Sequence, residues 1–193
     1  MYLAKIIAFI SIIIWLLPPF RQLKGGFFLY FLISGFSDPI TLFSLWLLKT
    51  NPIYIHLFIS FLLAISILYY YKNLTTKWLV ILIIILIISS LVGDKDVLFI
   101  PIIIFRLFIV VQLFIDTVSD FLLKKKVSLY ISLLLFYELT IIFKYTAVGF
   151  NYSTGIYLYY LTSAIDVFVC IFFVLYNLQN SPFIKLSFSN NSE

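Results

Sequence analysis

Hydrophobic and polar positions alternate on a coarse scale in this chain, as long apolar runs separated by short polar punctuation. A helix that crosses a bilayer needs about 20 apolar residues at roughly 1.5 Å rise each. Seven segments meet that need or approach it: Leu3 to Leu17, Phe27 to Leu48, Ile53 to Tyr71, Trp78 to Val92, Val97 to Leu123, Val127 to Val148 and Tyr157 to Leu178. Pro18-Pro19 stops the first, the Asn51-Pro52 turn opens the third, and Gly93-Asp94 ends the fourth. The expected fold is an all-α integral membrane protein. One seven-helix domain covers residues 1–178, and a polar tail over 179–193, rich in Ser and Asn, is expected to be disordered.

The exceptions inside the apolar runs are more informative than the runs. The second segment carries Gly35, Asp38 and Pro39 at its centre. A charge beside a helix-breaking residue at mid-membrane is costly and calls for compensation. Pro39 cannot donate its backbone hydrogen bond, so a break at Gly35 and Pro39 frees the Gly35 carbonyl, which beside a carboxylate makes half of a cation or proton site. Arg106, Glu138 and Asp166 lie near the middle of three other segments. Asp38 and Glu138 each stand eleven residues from the start of their segment, about 16 Å deep in a core of about 30 Å. Four ionisable groups at one level should face inward and pair.

Helical spacing supports inward faces. Tyr159, Thr162, Ser163, Asp166, Cys170 and Asn177 form one polar stripe, and Arg106, Gln112, Asp116 and Asp120 share about a third of their helix circumference. Tyr145 falls on the face of Glu138, whereas Lys144 does not and is expected to snorkel to the outer surface. His56 reads as an interfacial polar residue. Asp116 and Asp120 are expected to be solvated or paired with the Lys124-Lys125-Lys126 run.

Composition narrows the chemistry. The 193 residues are 64% hydrophobic and 11% charged, so the chain has too little polar surface for water and the lipid bilayer is its expected surrounding. The net charge of +5 reflects loop placement rather than a nucleic-acid partner. With one cysteine, Cys170, and one histidine, His56, neither an internal disulfide nor a multi-histidine metal site can be built. No nucleophile elbow, Walker motif or dinucleotide glycine pattern is present, so neither a cofactor nor enzymatic chemistry is indicated.

Arg21, Lys24, Lys72, Lys77, Lys124, Lys125, Lys126 and Lys185 fall on one side of this topology. Lys5, Lys49, Lys95 and Lys144 fall on the other, and Lys95 is flanked by Asp94 and Asp96. The excess of positive charge puts the N-terminus outside and the C-terminus in the cytoplasm. A shift of one hundred residues aligns Leu23-Lys24 with Leu123-Lys124, Leu29-Tyr30 with Leu129-Tyr130, Phe36 with Phe136 and Phe43 with Phe143, and sets Asp38 opposite Glu138. The plan is then three helices, a linker helix and three more, a parallel repeat of the sort transporters use. With Pro18-Pro19 ahead of a basic loop, it resembles the PQ-loop and SWEET class of small-solute transporters. Glutamine does not follow proline here, and Val118-Ser119 stand at the matching place of the second half, so the resemblance concerns topology and transfers no site residue.

These features lead to a small transporter-like membrane protein of the bacterial inner membrane. Asp38, Arg106, Glu138 and Asp166 would form a midplane site for a small solute or a proton. The alternative is a non-transporting sensor, scaffold or assembly subunit that docks a membrane or cytoplasmic protein at its basic loops.

Overall fold

Each apolar run folds as a helix. The computed structural model describes residues 2–23, 25–73, 75–92, 97–149 and 155–185. Among these it has helices α1 (Tyr2–Trp15), α2 (Pro18–Arg21), α3 (Phe28–Leu47), α4 (Pro52–Tyr70), α5 (Thr76–Val92), α6 (Phe99–Lys124), α7 (Leu129–Gly149) and α8 (Gly155–Leu175), and strands β1 (Lys126–Ser128) and β2 (Phe183–Lys185). Helices α3, α4, α6 and α7 are long and apolar enough to cross a membrane, and the apolar stretches Phe9–Arg21, Thr76–Leu91 and Leu161–Leu175 are shorter. Large apolar side chains such as Phe43, Trp46, Leu91 and Phe114 point outward, which is consistent with an integral membrane protein and costly in water.

Three expectations need correction. Pro18-Pro19 do not merely end α1: they open the one-turn α2, where a missing N–H costs nothing. No break occurs at Gly35 and Pro39, because α3 runs unbroken through both. The tail is ordered at residues 183–185, where β2 pairs antiparallel with β1 in the register Lys126–Lys185, Val127–Ile184 and Ser128–Phe183. The fourth segment's Gly93-Asp94 terminus, Lys95 with its acidic neighbours and the tail beyond 185 lie outside the described residues. Lys49, Lys72 and Lys125 close α3, α4 and α6 in the left-handed conformation (φ 51°, 54° and 51°), where glycine is more usual.

Six helices pack pairwise in a ring, in the order α1, α3, α4, α6, α7, α8 and back to α1. Helix α5 lies outside the ring against α4 and α6. One end of the ring is filled by aromatic rings. Phe27 meets Tyr70 at 4.1 Å between ring centres, Phe31 meets Phe173 at 4.8 Å, and Tyr130 meets Phe173 at 5.0 Å. Gly26 lets the chain pass this close, since a Cβ there would fall 2.0 Å from the Tyr70 ring. At the same end the Gln22 amide, fully buried, donates to the Phe173 carbonyl (3.1 Å) and the Tyr176 carbonyl (2.9 Å). It thereby satisfies acceptors that the end of α8 leaves open. The Tyr130 backbone N–H donates to the Ser181 hydroxyl, which ties the segment before β2 to the start of α7.

Candidate functional site

The opposite end of the ring holds a cavity of about 570 Å³. It runs from Asn51, Phe99 and Val148 near the helix ends down to Arg106 and Tyr137. Six helices contribute to its wall, and the ionisable groups on it are Asp38, His56, Arg106, Lys144, Tyr137, Tyr145 and Asp166.

Arg106 forms the deep part. It is only 6% exposed, and its Nη1 donates to both carboxylate oxygens of Glu138, at 2.8 and 3.1 Å. Its Nε reaches the Ser60 hydroxyl on α4 at 3.4 Å. Glu138 is completely buried and also accepts a hydrogen bond from the Tyr30 hydroxyl on α3. One carboxylate therefore joins α3, α6 and α7, and Arg106 extends the network to α4. A buried charge stripped of its partner costs about 3–5 kcal/mol, so this network constrains which helix faces can meet.

The four expected groups thus fall into two sets. Arg106 and Glu138 pair directly, and Glu138 lies behind Arg106, off the cavity wall. Asp38 and Asp166 join Arg106 on the wall, from α3 and α8. Neither acid forms a salt bridge or side-chain hydrogen bond among the described residues. Asp166 is 8% exposed, and its buried Oδ1 has no hydrogen-bond partner. Asp38 is exposed, beside Ser37 and Thr41, whose hydroxyls donate to the Ser34 and Ser37 carbonyls at 2.7 and 2.8 Å. Those bonds lie within the turns around Pro39, where the helix ladder loses a donor.

Gly35 has a packing role. A Cβ there would sit 2.5 Å from the Trp15 carbonyl oxygen and 3.2 Å from Pro19, so its lack of a side chain sets how closely α1 and α3 approach. The Thr162, Ser163, Asp166 and Cys170 part of the expected stripe is buried, as the spacing predicts, and the Tyr159 side chain lies outside the described residues. Asn177 belongs to a turn after α8, where its side chain accepts from the Gln179 and Asn180 backbone. Asp120 pairs with Lys124 at 2.7 Å, as expected. Asp116 instead accepts from the Tyr71 hydroxyl at 3.0 Å. Burial, together with the Asp116 carboxylate beside it, pushes the Tyr71 hydroxyl well above its ordinary pKa, so it remains a donor.

Lys144 and His56 also line the cavity wall, the His56 ring 5.9 Å from that of Tyr145. The lining positions of α7 are Tyr137, Ile141, Lys144, Tyr145 and Val148, a stripe at helical spacing centred about one residue away from Glu138. Helix α7 therefore turns one broad polar face, from Lys144 through Tyr145 to Glu138, toward the cavity and Arg106. Tyr30 and Ser60 were not anticipated as partners of the ion pair, because nothing in their local sequence distinguishes them from core positions.

Fold and site together define a small helical bundle of membrane type, with a polar cavity above a buried ion pair. Compared with protein-family models, curated proteins and solved structures, the chain matches none of them.

Proposed function

We propose that this protein admits a small polar solute from one face of a membrane to a site at mid-bilayer, as a transporter does. The cavity carries the proposal: a wall with two carboxylates that make no salt bridge or side-chain hydrogen bond among the described residues, above a floor fixed by the Arg106–Glu138 pair, in a bundle closed at its other end. Asp38 and Asp166 bind the solute or carry a proton, and Glu138 holds Arg106 in place. The positive-inside bias puts the aromatic end, with Arg21, Lys72, Lys77 and Lys124 to Lys126, in the cytoplasm, so the cavity faces outward. The packing order supports the repeat. Exchanging α1 with α6, α3 with α7 and α4 with α8 maps the α1–α8 contact onto α6–α4. It also maps Asp38 onto Glu138, so the two halves use equivalent positions differently, one on the wall and one behind it.

A sensor would use the same cavity but never open its closed end. Sided thiol labelling separates the two. In a Cys170→Ala background, Ser37→Cys is exposed to a membrane-impermeant thiol reagent in vesicles of both orientations. Labelling from both faces is the expected result for transport. Labelling from the outer face alone favours sensing, and none from either face removes the proposal.

A further inference from the structure

We infer that the solute is a small protonated amine carrying at least one N–H, held between Asp38 and Asp166; this rests on the reading of the cavity as a solute site. The charge count comes first. Arg106 is matched by Glu138. With His56 counted neutral, Asp38 and Asp166 stand against Lys144, so the cavity and the ion pair beneath it together carry one excess negative charge, which suits a cation. Inside a protein of low effective dielectric that sign decides which solutes enter.

The unsatisfied atom narrows the class. Asp166 is more than nine-tenths buried, lines the cavity, and leaves Oδ1 without a donor. A buried acceptor without a donor is expensive, and a charge-assisted N–H···O bond is among the stronger ways to satisfy it. An ammonium group with N–H supplies both the charge and the donor. A quaternary ammonium supplies only the charge. A metal ion needs more ligands than these, and no group of three or more His, Cys, Asp or Glu that could hold one occurs among the described residues. Ser11 and Ser163 on the wall, with Tyr137 and Tyr145, offer further acceptors and an apolar body for the rest of the molecule. The volume falls within the roughly 300–1,000 Å³ common for small-molecule pockets.

A matched series tests this on the full chain in lipid nanodiscs, by ligand-observed NMR. Ethanolamine, choline, ethylene glycol and glycolate share a two-carbon frame and differ in charge and N–H. Ethanolamine should bind tightest, and Asp166→Asn or Asp38→Asn should weaken it roughly ten- to a hundredfold while the variant keeps the wild-type elution profile. Choline binding as tightly as ethanolamine overturns the requirement for N–H. Glycol or glycolate binding tightest overturns the amine but leaves the solute site standing. Binding of none overturns both. Unchanged ethanolamine affinity in both variants removes the two acids from the site.

Discussion

The two ends of the ring differ in what fills them. At one end Phe27, Phe31, Tyr70, Tyr130 and Phe173 interlock, and Gln22 and β2 tie the closing segments together. At the other, polar and ionisable side chains surround a cavity, and among the described residues Asp38 and Asp166 make no salt bridge or side-chain hydrogen bond. The Arg106–Glu138 pair lies between them. Helix α3 belongs to both ends. Tyr30, Phe31, Ser34 and Gly35 are buried before Pro39, whereas no residue from Ile40 to Leu48 is. Packing and paired charge hold the bundle, and the proposed solute site falls where the acids have no such pairing.

The largest expected effect is at the boundary. Glu138→Gln leaves Arg106 without its counter-charge and should cost about 3–5 kcal/mol of stability, read as a fall in thermal midpoint in detergent. Replacing both partners, Arg106→Met with Glu138→Met, should cost clearly less, because no charge remains buried. If the double variant is no better than the single one, the pair is more than a fixed counter-ion. Next comes the seam between α1 and α3. Gly35→Ala pushes a methyl to 2.5 Å from the Trp15 carbonyl oxygen, a backbone atom that cannot rotate away. A loss of about 1–3 kcal/mol is expected by the same measurement. A neutral result would show the seam to be looser than this geometry requires.

Gln22→Ala removes two hydrogen bonds at the closed end and leaves carbonyls of α8 unsatisfied, at roughly 1–2 kcal/mol. It sharpens the comparison in a second way. If Gln22 helps to seal that end, labelling of Ser37→Cys from the closed face should rise, while labelling from the cavity face stays the same. A rise at both faces would point to general unfolding.

The apolar runs made the helices legible, because a bilayer-length run has few alternatives. All seven expected segments contain a helix within a few residues of the expected bounds. What escaped was long-range or too short to show a period. The β1–β2 ladder is three residues a side and joins segments more than fifty positions apart. Depth along the helices brought Arg106 and Glu138 together, but Tyr30 and Ser60 complete their network from α3 and α4. Lys144 lines the cavity because the polar face of α7 is broad enough to take in both Lys144 and Glu138.

The smallest effect on stability is expected at Asp38, and it is the strictest test of the division between the two ends. Asp38 is exposed and makes no side-chain hydrogen bond or ion pair among the described residues, so Asp38→Asn removes no such bond. Its thermal midpoint should stay within the range of an ordinary surface substitution, about 0.5 kcal/mol. Solute binding should nevertheless fall, because the wall loses half of its unpaired negative charge. A variant that folds normally and does not bind places Asp38 with the ligand. A variant as unstable as Glu138→Gln would mean that Asp38 supports the bundle in its membrane, and that the cavity end is held by charge in the same way as the floor beneath it.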